Sequence, residues 1–120
     1  LIAPAGSLAR YHAIEWLNYI ATELHKGFSP LFNPKTPEEY KAIARQKLEQ
    51  QFAYLNGVLS NQSYLLGARF SVADAYLFTV LGWAKALHFD LPAYPNIVSY
   101  MARVAARPAV DAALTAEGLK

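Results

Sequence analysis

Apolar residues recur at intervals of three and four along most of this chain, which is the spacing of one face of an α-helix. The first block of this pattern runs from about Ser7 to Lys26. Ser7 is a favourable N-cap, and Gly27 is suited to the left-handed conformation that often ends a helix. We therefore expect one helix from Ser7 to Lys26 that ends at Gly27.

Residues 28–35 contain two prolines and an asparagine, which favours a loop after the first helix. Phe28 and Phe32 are the expected anchors of this loop in the core. The next helix is expected to begin after Thr36, whose hydroxyl is suited to cap it, and Glu39 would complete a reciprocal capping box. Apolar residues then continue at helical spacing.

The longest apolar tract, residues 72–87, predicts the central helix of a bundle. The tract is shorter than the ~20 residues that a membrane span needs, and Asp74 and Lys85 interrupt it. Because it is apolar on nearly every side, we expect it to be buried in protein. Ser71 and Asp74 have the spacing of a capping box at its start, so we expect both to be structural.

Two shorter helices are predicted after the central one. The first runs from about Pro95 to Ala106, and Arg107-Pro108 then interrupts the chain before a last helix over residues 109–114. No segment with the alternation of a β-strand stands out. The expected fold class is therefore all-α, a bundle of about five helices. Residues 1–6 are expected to be a linker that precedes the bundle.

Composition narrows the possible functions. Hydrophobic residues make up 54% and charged residues 17% of the 120 positions, which leaves apolar surface to bury against a partner domain or subunit. The net charge of +2 is too small to favour nucleic-acid binding. Without cysteine, the chain offers no disulfide and no thiol nucleophile. Its histidines lack metal-ligand spacing, so no metal site is expected.

His25 and Lys26 are the strongest candidates for chemistry. They stand at the predicted end of the first helix, and donors or cations placed there suit the stabilisation of a thiolate. The alternative is structural, because cations near a helix C-terminus also bind its last carbonyl groups. Asn18 and Glu23 form a polar strip upstream, which either meets a partner or is a solvated face with a Glu23–Lys26 ion pair.

An aromatic group is the candidate for an apolar binding pocket. Tyr76 and Trp83 are seven residues apart, on one face of the predicted central helix. Phe28 and Phe32 are placed to close the other side of such a pocket. The alternative is ordinary core packing, which is the commoner fate of an aromatic stripe.

Three stretches carry a resemblance to a known family. They are residues 14–28, with the run Glu-Leu-His-Lys-Gly-Phe, residues 66–76, with the capping pair, and the ending, 107–120. Together they resemble the C-terminal domain of bacterial beta-class glutathione transferases over nearly the whole chain. The resemblance implies that residues 7–120 form this all-helical domain, and that the thioredoxin-like N-terminal domain of the family is absent from the chain.

The resemblance also implies roles for individual residues. His25 matches the histidine that lies beside the glutathione sulfur, where it would donate a hydrogen bond, and Lys26 matches a neighbour that contacts the same region. Counterparts of Asn18 and Glu23 reach glutathione in the neighbouring subunit, which implies a homodimer formed through the first two helices. Family position places four residues in the pocket for hydrophobic electrophiles: Phe28, Phe32, Tyr76 and Trp83.

The implied reaction is attack of the glutathione thiolate on a small hydrophobic electrophile, or thiol–disulfide exchange through glutathione, in a cytoplasmic detoxification enzyme. Because the thioredoxin-like domain is missing, we expect this chain to be inactive alone. Two alternatives stay open. Domains of this fold also serve as non-catalytic protein-interaction modules, and a helical bundle with only the Trp83 pocket would store apolar ligands without glutathione.

Overall fold

The computed structural model of the protein describes residues 1–119. Its elements are α1 (Leu8–Tyr19), a π-helical segment (Ile20–His25), α2 (Lys26–Phe32), α3 (Glu38–Val58), α4 (Val72–Ala86), a 3₁₀ turn (Leu91–Ala93), α5 (Pro95–Ala105) and α6 (Pro108–Ala116). Because α1, the π segment and α2 are continuous, the bundle has five helical blocks. Over the described residues no strand forms beyond one isolated bridge, Tyr64–Gly67, so the all-α prediction is confirmed.

The first helical block does not end at Gly27, and that prediction was wrong. The chain widens into the π segment, where the Lys26 amide donates to the Ala21 carbonyl five residues earlier, and then continues as α2. The backbone at Gly27 is not left-handed. A Cβ there would lie 3.0 Å from Cδ2 of Leu48 on α3. Gly27 therefore permits close packing of two helices and does not form a turn.

The loop predicted over residues 28–35 is helical up to Phe32, even though Pro30 lies inside α2. Proline removes one backbone donor, so local preference alone would break the helix here. Tertiary packing holds it, because Phe28 is completely buried with its ring 6.1 Å from that of Phe52 on α3. The prediction of a core anchor is confirmed for Phe28. It is wrong for Phe32, which is 51% exposed.

The capping box predicted at the start of α3 does not form. Pro37 occupies the N-cap position with extended backbone, and the helix begins at Glu38 without a side-chain cap bond. Thr36 lies one residue too early for its hydroxyl to reach the first free amides of the helix. The position of Pro37 therefore moved the helix start away from the pair Thr36 and Glu39.

The capping box predicted at the start of α4 is present. The Ser71 hydroxyl accepts from the Ala73 amide at 3.3 Å, and Asp74 Oδ2 accepts from the Ser71 amide at 2.9 Å. Asp74 is fully buried, and its Oδ1 also accepts from the Leu65 amide at 3.0 Å and the Tyr100 hydroxyl at 2.9 Å. Burial, followed by the Asp74 charge, raises the pKa of Tyr100. The cap thus ties α4 to its preceding loop and to α5.

The central position predicted for α4 is confirmed by its burial. Leu77, Val80 and Leu81 are completely buried and belong to the main core with residues of α3 and α5. The helix ends before His88, whose backbone is left-handed at φ 61°. No helix within residues 1–119 combines the length and apolarity needed to cross a membrane.

Candidate functional site

The candidate site lies where the end of the π segment meets α4. His25 is the last residue of the π segment and is exposed, while Leu24 beside it is completely buried. The His25 Nδ1 atom lies 2.6 Å from the Tyr76 hydroxyl, within hydrogen-bond distance. The imidazole also meets the Trp83 ring edge-to-face, with centroids 5.0 Å apart. The structure therefore brings together three residues that the sequence separates widely.

The two α4 residues of the site share one face of that helix, as their seven-residue spacing predicts. Tyr76 and Trp83 are both half-buried, so each ring is partly anchored in protein and partly open to solvent. The capped start and buried opposite face of α4 fix both rings relative to the core. An incoming ligand would therefore meet preset aromatic surfaces next to a histidine.

Two phenylalanines complete the aromatic group around Trp83. The Phe32 ring meets Trp83 edge-to-face at 5.7 Å and stays half exposed. The Phe28 ring meets Trp83 at 5.8 Å but is completely buried. Phe28 and Phe32 thus both contact Trp83, whereas Tyr76 is joined to this group through His25. Phe28 supports Trp83 from the core, and the other rings reach the surface. Apolar rings beside the hydrogen-bonding side chains of His25 and Tyr76 are suited to contact a small apolar molecule.

Lys26 follows His25 in sequence but lies on a different wall of the molecule. It lines a polar groove of about 450 Å³. The π segment and α2 form one side of this groove, and α3 forms the other. Glu23 and Lys47 line the same groove. The predicted cationic pair at positions 25 and 26 is therefore split, with His25 facing α4 and Lys26 facing α3.

The predicted polar strip is also rearranged. Asn18 is exposed in the last turn of α1, where its carbonyl accepts from the Thr22 hydroxyl at 3.0 Å. Because the π segment has more residues per turn than an α-helix, the spacing from Asn18 to His25 no longer defines one face. Among residues 1–119 no ion pair joins Glu23 to Lys26, so that part of the structural alternative was wrong, although Asn18, Glu23 and Lys26 are all exposed, as a solvated face requires. The groove holds both charges side by side, unpaired with each other.

Sequence reasoning missed two features near this segment. It assigned Tyr76 to an apolar pocket only, because no local pattern connects positions that are 51 residues apart. It also missed that Tyr19, at the end of α1, is held by α3, where its hydroxyl donates to Oε1 of Gln51 and its ring meets Tyr54 at 5.8 Å. Burial first, then the charges of Tyr54 and Glu23, raise the pKa of Tyr19.

The remaining histidines lie outside the site. His12 is exposed on α1, 3.5 Å from the Glu15 carboxylate, and His88 lies in the turn after α4. Across the part of the chain that the structure describes, no three His, Asp or Glu side chains are placed to hold a metal ion. The side chains of the site offer hydrogen bonding by His25 and Tyr76 beside apolar rings.

Comparison with a family model and with known sequences points to the same family. Residues 19–108 match the family model described as glutathione S-transferase, C-terminal domain. Glutathione S-transferase GstA of Escherichia coli O157:H7 is 56% identical over all 120 residues of the chain, which cover 60% of that protein. The chain thus spans about 60% of the length of this relative.

Solved structures agree with the sequence comparison. A ternary complex of BphK, a bacterial glutathione transferase, has a TM-score of 0.96 and 47% identity, over 99% of this chain and 60% of that one. The bacterial beta-class enzyme of Sphingomonas chungbukensis has a TM-score of 0.95 and 42% identity, over 100% and 60%. A sphingomonad enzyme complexed with glutathione has a TM-score of 0.94 and 42% identity, over 100% and 60%.

Proposed function

Because this chain belongs to the glutathione S-transferase family, as a bacterial beta-class-like C-terminal domain, we propose that it forms the electrophile-binding half of a glutathione transferase. The observation that carries the proposal is the position of His25, a hydrogen-bonding side chain at the edge of an aromatic surface. A thiol and an apolar electrophile brought to this edge would meet both of the groups that their reaction requires.

The proposed chemistry depends on stabilising a thiolate. A free thiol with a pKa of ~8.5 is mostly protonated at neutral pH, and the thiolate is the nucleophile. Nε2 of His25 has no hydrogen-bond partner within residues 1–119, so it is available to donate to the glutathione sulfur. The sulfur then bonds to the electrophilic carbon and the leaving group departs with its electron pair, or the sulfur attacks a disulfide and displaces a thiolate.

The exposed rings supply the second half of the proposed site. Tyr76, Trp83 and Phe32 offer apolar area to a small hydrophobic electrophile, and Phe28 fixes Trp83 from behind. Such a surface places the electrophile beside the sulfur with little specificity for its shape. This arrangement suits detoxification of varied apolar compounds.

We further propose that the chain works joined to a thioredoxin-like domain that binds most of the glutathione, in a cytoplasmic homodimer. The polar groove lined by Glu23 and Lys26 is the proposed contact with glutathione of the neighbouring subunit, and the exposed Asn18 of α1 is proposed to reach the same glutathione. Opposite unpaired charges at a groove suit a ligand that itself carries both charges, as glutathione does.

Substitution of His25 in the full-length protein, in which a thioredoxin-like domain precedes this chain, tests the proposed function. We expect His25→Ala to lower kcat for conjugation of glutathione to an activated aryl chloride by about 10- to 100-fold, since a hydrogen bond to a charged group contributes about 1.5–3 kcal/mol. Melting temperature should stay close to that of the wild type, because His25 is exposed.

His12→Ala is the matched control, because His12 is also an exposed helical histidine and lies on α1. It should leave kcat unchanged. An unaltered kcat for His25→Ala would remove the proposed role of His25. A full-length protein with no conjugation or thiol-exchange activity would favour the alternative, a non-catalytic interaction module of the same fold.

A further inference from the structure

The imidazole of His25 is held from α4 by two separate contacts. The Tyr76 hydroxyl lies 2.6 Å from Nδ1, and the Trp83 ring packs edge-to-face against the imidazole at 72°. The Trp83 contact limits tilting of the ring, while the hydrogen bond selects which nitrogen faces α4. Together they leave Nε2 as the nitrogen that is free to meet a ligand.

The hydrogen bond also bears on the position of the imidazole proton. In a neutral imidazole one nitrogen donates and the other accepts, and the partner of one nitrogen determines the role of the other. Within residues 1–119 the Tyr76 hydroxyl has no acceptor other than His25 Nδ1. A hydroxyl that donates to Nδ1 places the imidazole proton on Nε2.

We infer that Tyr76 is a positioning residue that donates its hydroxyl proton to Nδ1 of His25 and so holds the neutral imidazole with its N–H at Nε2, directed at the glutathione sulfur. This inference rests on the proposed function for the identity of the sulfur ligand. It assigns to Tyr76 a role beyond apolar contact with the electrophile. Without this bond, part of the neutral population would carry the proton on Nδ1 and could not donate from Nε2.

The position of His25 at the end of the π segment explains why its imidazole needs a hydrogen-bond partner on α4 to fix its orientation. His25 ends a segment whose turns are wider than those of an α-helix, at a position where its side chain projects from the helix toward α4. Its exposed imidazole is not fixed by burial. Orientation therefore has to come from contacts across the helix interface, which Tyr76 and Trp83 supply.

The test begins with Tyr76→Phe, which removes one hydroxyl and keeps the aromatic ring. In the full-length protein we expect kcat for the aryl chloride to fall by about 3- to 10-fold, the size of one neutral hydrogen bond, with KM for the aryl chloride unchanged. Tyr94→Phe is the matched control, since it removes a hydroxyl bonded to the Glu49 carbonyl between other helices. It should leave kcat unchanged.

A spectroscopic readout separates the tautomer from activity. Full-length protein labelled with ¹⁵N-histidine is examined by long-range ¹H–¹⁵N correlation at an alkaline pH, where imidazole is neutral. The His25→Ala variant assigns the signals of His25. In the wild type Nδ1 of His25 should be unprotonated and Nε2 protonated. In Tyr76→Phe the two shifts should move toward a mixed population. A protonated Nδ1 in the wild type, or unchanged shifts in the variant, would overturn the inference.

A double-mutant cycle then connects the tautomer to turnover. If Tyr76 acts through His25, Tyr76→Phe should have no further effect on kcat in a His25→Ala background. An equal loss in both backgrounds would mean that Tyr76 acts on the substrate directly, which would contradict its positioning role. If His25→Ala itself leaves kcat unchanged, the proposed function of His25 fails, whereas unchanged ¹⁵N shifts in Tyr76→Phe overturn the tautomer inference alone.

Discussion

The two walls of the aromatic site are held in place by different means. The α4 wall begins with a reciprocal cap between Ser71 and Asp74, and Asp74 is further bonded to Tyr100 of α5. The wall formed by the π segment and α2 has no side-chain cap at the start of either element. It is positioned by buried side chains such as Phe28 and by the close approach of Gly27 to Leu48.

The difference indicates that the two walls hold their site residues with different rigidity. The α4 wall presents Tyr76 and Trp83 from a rigid scaffold, while the π segment presents His25 from a helix whose form depends on its neighbours. Hydrogen bonds of the Asp74 network and burial in the core together fix the first wall, whereas the second wall is positioned by packing alone. Changes in the core should therefore affect His25 more than they affect the α4 rings.

The largest expected loss of stability comes from breaking the α4 wall at Asp74. Asp74→Ala removes the acceptor of three buried donors, the Leu65 amide and the amide and hydroxyl of Ser71, and leaves Tyr100 only its 3.3 Å bond to the backbone carbonyl of residue 74. Each such donor costs about 1–3 kcal/mol, so we expect a loss of about 4–6 kcal/mol in the free energy of unfolding. Urea denaturation measures this loss.

Ser7→Ala, which removes the cap bond from the Arg10 amide and an exposed bond to the Pro4 carbonyl, should cost only about 1 kcal/mol. An equal cost for both variants would contradict the network at Asp74.

The second prediction concerns the wall formed by the π segment and α2, which contains the buried Phe28. Phe28→Ala creates a cavity between α2, α3 and α4, and we expect it to cost about 3–4 kcal/mol in the free energy of unfolding. Phe32→Ala is the control, because the same ring at an exposed position should cost less than about 1 kcal/mol. Denaturation curves compare the two. Equal costs would mean that core packing does not hold α2 in its helical form.

The smallest expected change in stability tests the close contact of Gly27 in α2 with α3, and Gly82 serves as the reference position. Gly82 lies in α4 with nothing within 4 Å of an added Cβ, so Gly82→Ala should stabilise the protein by about 0.5–1 kcal/mol. Gly27→Ala gains the same helix preference but meets Leu48 at 3.0 Å. We expect it to be at least about 0.5 kcal/mol less favourable than Gly82→Ala in thermal or urea unfolding. Identical gains would remove the close-packing role of Gly27.

The outcome at two helix starts explains which features were predictable from sequence. Ser71 and Asp74 form the predicted capping box because no residue between them shifts the start of α4, so Ser71 is the N-cap and Asp74 is the third residue of the helix. Thr36 and Glu39 have the same spacing, but Pro37 takes the N-cap position and shifts the start of α3 by one residue. A capping motif thus depends on the residue that occupies each position between its ends. In contrast, the all-α class follows from the helical spacing of apolar residues over the whole chain and survives such local shifts.

The candidate site was predictable only in part. The resemblance singled out His25, Tyr76 and Trp83, and the structure brings their rings together. Neighbouring residues of a helix project about 100° apart, so His25 and Lys26 face different sides whatever the helix type. The sequence did not show the π segment, nor which helix each of the two residues faces. A π-helical turn is rare and occurs as a single turn inside an α-helix, so the helical spacing of apolar residues does not locate it. Here it packs between α3 and α4.

The sequence by itself determined the helical class, the capped start of α4, and the spacing that puts Tyr76 and Trp83 on one face. Each of these depends on interactions within a few residues, which the order of side chains encodes directly. Only the tertiary structure decided that the first helix widens, that it passes Gly27 without ending, and that His25 meets Tyr76. Those features arise between helices distant in sequence, where the geometry of the assembled core outweighs local preference.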